Sequence, residues 1–158
     1  MCQEKKTTTN VKNGFTLIEV LLVIAILAIL AAVVIIAINP AKQFSMARDA
    51  QRQSDVYSIM NALHQYALDH EGSFPDGITT DPLEICRTGS LSCEDKYDLS
   101  ALTDDQSYLV SIPIDPLCTP SNLNCADSET GYFISLTQGG RMWVSADDAE
   151  NGEIEAIK

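Results

Sequence analysis

Residues 20 to 38 read VLLVIAILAILAAVVIIAI, nineteen consecutive apolar side chains. That run is close to the roughly 20 residues a helix needs to cross a bilayer, and longer than the about 7 to 15 of an ordinary signal-peptide core, so it predicts a single membrane span. Pro40 follows, and its missing N–H and its crowding of the Ile36 carbonyl predict a local loosening of the helix. The pattern then turns amphipathic. Val56, Ile59, Met60, Leu63 and Ala67 recur at helical spacing as one stripe, with Arg48, Asp49, Arg52, Gln53 and Asp55 as polar surface nearby. Gly72 and Pro75 supply the stop. Together these features predict one nearly continuous helix from about Phe15 to about His70, on the order of 80 Å long.

Beyond it the period changes. Residues 71–107 show none and are rich in Gly, Pro, Asp, Ser and Thr, which predicts a long loop. YLVSI (108–112) reads as a strand, and GYFISLTQGGRMWVS (131–145) as a hairpin turning at Gly139-Gly140 with Tyr132, Ile134 and Leu136 on one face. EIEAI (153–157) adds a short last strand. The fold class this predicts is α+β, a long N-terminal helix packed on a small antiparallel sheet. Residues 40–158 are enough chain for one modest globular domain with its own core.

Charge sharpens the division. Residues 1–14 carry Lys5, Lys6 and Lys12 against Glu4, while residues 40–158 carry 7 basic and 20 acidic side chains. The lysines keep the N-terminus cytoplasmic by the positive-inside rule, which exports the acidic domain. An acidic surface of that kind argues against binding nucleic acid phosphates or anionic lipid heads.

Cysteines follow the same split. Cys2 lies on the cytoplasmic side, whereas Cys86, Cys93, Cys118 and Cys125 form two C-x6-C pairs in the exported part. Outside the reducing cytosol an even set predicts disulfides, and three connectivities can be drawn. Pairing Cys86 with Cys93 and Cys118 with Cys125 is favoured because each bond closes a short loop. A four-thiolate zinc site usually has ligand pairs two to four residues apart, which these are not.

One carboxylate interrupts the apolar region. Gly14-Phe15-Thr16-Leu17-Ile18-Glu19 follows the basic leader and precedes the apolar run directly. This arrangement resembles the type III signal of the type IV pilin superfamily, which includes pilins and the pseudopilins of type II secretion. The resemblance implies that a prepilin peptidase cuts between Gly14 and Phe15 and methylates the new Phe15 amine. Residues 1–14 are then a removed leader, 15–39 a transmembrane and assembly helix, and 40–158 an exported pilin-like globular domain. It also implies a role for Glu19 in assembly, pairing with the Phe15 ammonium of a neighbouring subunit as helices pack in a filament. Many family members carry a proline at the position of Ile36, whereas this chain has Pro40 one turn later.

The function this implies is structural: a subunit of a type IV pilus-like or type II secretion pseudopilus filament, not an enzyme. Implied partners are identical or related pilin subunits, the prepilin peptidase, the membrane and an inner-membrane assembly platform. IPIDPL (112–117) followed by Gly131-Tyr132 resembles the Asp-Pro segment and Tyr-containing strand of major secretion pseudopilins, whose sheet loops can hold calcium. It tilts the reading slightly towards a pseudopilin. Asp147, Asp148, Glu150, Asn151 and Glu153 offer oxygen ligands of the type calcium prefers, though without EF-hand spacing, and no other cofactor is indicated. His64 and His70, six apart, do not share a helix face, and no nucleophile motif occurs. The alternative is a bitopic membrane-anchored protein with an exported ligand-binding or catalytic domain.

Overall fold

The computed structural model describes residues 14–118, 125 and 127–158. Residues 1–13, with Cys2, and residues 119–124 and 126, which include the whole interior of the Cys118–Cys125 loop, lie outside the described residues. The chain divides into two compact units, Met1–Pro40 and Ala41–Lys158.

In the first unit, helix α1 spans Leu17–Ala37 and none of its residues is buried. Leu, Ile, Val and Ala occupy every side of it, so it presents no single face to a core. Helical bonding ends at Ala37, and Ile38 is extended (φ −100°, ψ 114°) with its N–H still donating to the Val34 carbonyl. Helix α2, Pro40–Asp69, begins afresh on the proline. The expected continuous helix is therefore two helices. Pro40 takes the first helical position, where its missing N–H has no intrahelical partner to lose.

In the second unit, the stripe of α2 is buried as its spacing predicts: Val56, Ile59, Met60, Leu63 and Ala67 all face inward. They pack into one core with Ile85, Leu99, Leu102, Ile112, Tyr132, Ile134, Met142, Val144 and Ile154. The sheet is four-stranded and antiparallel in the order β1 (Leu83–Cys86), β2 (Glu129–Leu136), β3 (Met142–Ala146) and β4 (Ile154–Ile157). The β2–β3 hairpin pairs Tyr132 with Ala146 and Leu136 with Met142 around the Gly139-Gly140 turn. β4 pairs Ile154 with Ala146 and Ile157 with Trp143. The class is the predicted one, α+β and pilin-like.

Two strand assignments change. β1 lies inside the segment read as loop, where Leu83 and Glu84 pair with Ile134 and Phe133 of β2 and a bulge precedes Cys86. YLVSI is not a strand: the N–H groups of Tyr108 and Leu109 donate to the Leu102 carbonyl, and that of Ile112 to Thr88 Oγ1 at 2.9 Å. With these three amides bonded within the loops, the segment pairs with no strand among the described residues. A short helix α3, Ser100–Thr103, seats Leu102 in the core just before it.

Candidate functional site

The start of α1 is set by Thr16. Its backbone is extended (φ −83°, ψ 150°), and its hydroxyl accepts from the Glu19 N–H at 3.3 Å while its carbonyl accepts from Glu19 and Val20. Thr16-x-x-Glu19 is thus the first half of a capping box, a signal that apolar periodicity passes over. Glu19 lies in the first turn, where the helix dipole favours a negative charge, and it is exposed. Phe15, just ahead of the cap, is 83% exposed. Gly14 is exposed too, and a side chain there would meet nothing within 4 Å, so packing in this structure does not require glycine at that position. The junction Gly14-Phe15 and the carboxylate four residues on are therefore all accessible, at the mouth of a helix with no internal partners.

The second unit holds a different constellation, which periodicity had assigned to solvent. Arg52 is fully buried, four residues before Val56 on the core stripe. Its guanidinium donates to Asp115 through Nε at 2.5 Å and Nη2 at 3.1 Å, and through Nη1 to Asp49 at 2.8 Å and Glu150 at 3.2 Å. Three acids from helix, loop and turn converge on one cation, and the Asp115 hydrogen bonds hold the Arg52 pKa well above its ordinary value. Arg48 adds a bidentate pair with Glu150 at 2.5 and 2.6 Å, which in turn holds the Glu150 carboxyl below its usual range.

Asp49 completes this joint. It accepts from the backbone N–H groups of Glu150 and Asn151 at 3.0 and 2.8 Å and from the Asn151 side chain at 2.7 Å. Burial alone would raise the Asp49 carboxyl, but these donors and Arg52 outweigh it and bring it down to about 2. Asp55, also buried, accepts from the Tyr132 hydroxyl at 2.7 Å, and burial together with that bond pushes the phenol far up.

Asp115 and Tyr132, the residues singled out in IPIDPL and in the Gly131-Tyr132 pair, are both at this joint. Gly131 explains its own identity. Its φ is +78°, and a Cβ there would sit 2.8 Å from the Cβ of Asp115. The Asp115 N–H meanwhile donates to the Thr130 carbonyl at 2.8 Å, tying loop to β2.

The residues offered as calcium ligands are differently occupied. Glu150 and Asn151 face α2 through Arg48, Arg52 and Asp49, and Asp147 accepts from Ser145 Oγ at 3.2 Å. Asp148 and Glu153 are exposed. Among the described residues no group of three or more His, Cys, Asp and Glu side chains is placed to hold a metal ion. The cysteines are joined as Cys86–Cys93 and Cys118–Cys125. Both bonds buttress the Asp115 loop: Thr88, inside the first, binds the Ile112 N–H, and Cys118 donates its N–H to the Asp115 carbonyl. His64 and His70 each bond a carbonyl one turn back and do not converge. On the other sheet face the Trp143 indole donates to Glu155 at 2.7 Å.

Residues 9–37 match the family model for the prokaryotic N-terminal methylation motif. This is the prepilin-type signal of type IV pilins and pseudopilins. Neither the curated proteins nor the solved structures give a match to the chain. The motif supports a type IV pilin-like or pseudopilin protein, structural in character, and with the apolar helix behind it fits a membrane-anchored one.

Proposed function

We propose that this chain is the subunit of a type IV pilus-like or type II secretion pseudopilus filament. One observation carries the reading: the methylation motif over residues 9–37 opens directly into a helix of 21 residues, apolar on every side and without a buried residue. Such a surface needs apolar surroundings throughout, which lipid supplies before assembly and other helices supply after it. Lipid is as apolar as a helix bundle, so hydrophobicity alone does not drive the exchange. A membrane assembly platform supplies the work, and contacts made only between subunits fix the product.

Processing creates one such contact. The peptidase cuts Gly14–Phe15, the freed Phe15 amine is methylated, and the chain keeps its anchor because the cut lies ahead of the apolar run. The lysines of the leader hold this end in the cytoplasm until then, and the acidic Ala41–Lys158 unit is exported. In the filament, Glu19 meets the Phe15 ammonium of a neighbouring subunit. A charge within an apolar bundle is tolerated when paired, and pairing between subunits sets register. Thr16 supports this arrangement by fixing where the helix begins relative to both charges. The Asp115–Gly131–Tyr132 cluster, in the segments that resemble secretion pseudopilins, supports the pseudopilus branch.

N-terminal sequencing of the mature protein tests the proposal, and the expected chain begins at N-methylated Phe15. An intact Met1 chain in cells with active peptidase overturns it. Glu19→Ala is expected to be processed and to remain in the membrane without assembling. Filaments formed normally by that variant remove the register role.

A further inference from the structure

The β3–β4 turn contains a residue whose chemistry filament assembly does not use. Asn151 precedes Gly152. An asparagine before glycine is the pair in which the following backbone nitrogen most readily reaches the side-chain amide, since glycine has no Cβ to hinder the approach. Nothing lies within 4 Å of where a Cβ on Gly152 would be, and Asn151 is exposed. Yet the amide is held. Nδ2 donates to Asp49 Oδ2 at 2.7 Å and to Ser45 Oγ at 3.2 Å, and the Asn151 backbone N–H donates to the same Asp49 oxygen at 2.8 Å. One carboxylate grips both the nitrogen that would leave and the backbone beside the nitrogen that would attack.

We propose that Asn151 is a site of spontaneous deamidation, guarded by Asp49 and Ser45, and that its conversion to an acidic residue loosens the joint between α2 and the β3–β4 turn. The Gly152 nitrogen gives its proton to solvent base and attacks Cγ of Asn151. The new N–Cγ bond closes a succinimide, the Cγ–Nδ2 bond breaks, and ammonia departs with a proton from water. Water then opens the ring at either carbonyl to give aspartate or isoaspartate, with nothing oxidised or reduced. Attack requires the side chain to swing away from Asp49, so the rate is that of an unrestrained chain scaled by the fraction of time the grip is open. The product replaces a donor with a second carboxylate facing Asp49, and like charges at that distance repel. Asp49 stays ionised near neutral pH, which keeps the repulsion in place.

The test incubates the purified full chain in detergent at mildly alkaline pH and quantifies acid at position 151 by peptide mass spectrometry. A synthetic peptide of residues 148–154 serves as the unrestrained reference. The full chain is expected to convert at least about tenfold more slowly than the peptide, as for a local opening rarer than one in ten. Asp49→Ala is expected to approach the peptide rate. Because that variant also disturbs the fold, Ser45→Ala provides the second arm: its hydroxyl accepts from Asn151 and donates to the Lys42 carbonyl, both at the exposed surface, so conversion should rise about two- to threefold with melting unchanged. Equal rates in chain and peptide, or Ser45→Ala at the wild-type rate, overturn the guard. For the consequence, Asn151→Asp is expected to melt below wild type near about pH 7, with the gap narrowing near about pH 4 as the added carboxylate protonates. A variant melting with wild type at both values overturns the loosening.

Discussion

Replacing Arg52 with Met deletes the buried charge while keeping much of the apolar stem. The Arg52 and Asp115 side chains are both fully buried. Without the guanidinium, the Asp115 carboxylate keeps the Leu117 N–H at 2.8 Å as its remaining hydrogen-bond donor. Asp49 and Glu150 lose less, because the turn's backbone amides and Arg48 still serve them. Removing one partner of a buried pair costs about 3–5 kcal/mol, since the other charge is left uncompensated. The Ala41–Lys158 unit has about 118 residues, and at about 2.1 cal/mol/K of melting entropy per residue it loses roughly 4 °C per kcal/mol. The expected fall in Tm is therefore about 12–20 °C. The single tryptophan, Trp143 in β3, reports this unit alone in a fluorescence melt of the full chain in detergent. Adding Asp115→Asn removes the stranded charge and leaves an amide oxygen for Leu117, so the double variant should regain at least about half of the loss. A fall below about 4 °C, or no recovery in the double variant, refutes the account of Arg52 as the neutraliser of Asp115.

Acid should weaken the same joint. The folded Asp49 value of about 2 lies below its ordinary 3.8, so its contribution is present above the unfolded value and lost as pH falls towards 2; Glu150 is shifted the same way. Tm measured from about pH 5 down to about pH 2 should drop more steeply for wild type than for Asp49→Asn, and parallel profiles would argue against the assignment. Gly131→Ala should cost about 2–4 kcal/mol, combining a left-handed backbone with overpacking on Asp115. Gly140→Ala, at φ +75° with nothing within 4 Å, should cost only about 1–2 kcal/mol, and equal losses would dismiss the close approach. A chelator should leave Tm unchanged, because Arg48, Arg52 and Asp49 already engage Glu150 and Asn151; a clear fall would restore calcium at the turn.

Much of the fold was legible because its elements state their period openly. The α2 stripe repeats apolar residues every third or fourth position, and the β2–β3 hairpin alternates around a Gly-Gly turn. β1 was hidden by brevity: four residues among Pro, Asp and Thr give too little alternation to stand out. YLVSI misled in the opposite direction, since β-branched and aromatic residues measure fit to a half-buried surface and not a demand for strand pairing. Its Leu109 is packed against the core while its amides are satisfied locally. The N-terminal signal was legible as a motif, and Thr16 could have been read as its cap from the Thr-x-x-Glu spacing. Arg52 and Asp55 were not recognised because a hydropathy pattern treats charge as solvent-facing. Yet both fall on the stripe, four residues before Val56 and Ile59. Their burial depends on Asp115 and Tyr132, which are distant in sequence, so the spacing alone could not supply the partners.

The two units solve the problem of apolar surface in different ways, and that difference carries the functional argument. The Ala41–Lys158 unit covers its own stripe with a sheet and neutralises its one wholly buried cation with acids from three elements. α1 does neither: every residue remains exposed, and its lone acid has no ion pair among the described residues. A structure that satisfies Arg52 so completely yet leaves α1 uncovered supports the proposed reading, in which folding and assembly draw on different residues. Substitutions at the joint should thus act on melting, while substitutions at Phe15, Thr16 or Glu19 should act on filament formation with the Trp143 melt unchanged. A Glu19 variant that lowered that melt would break the separation and remove the reason for placing its partner on another subunit.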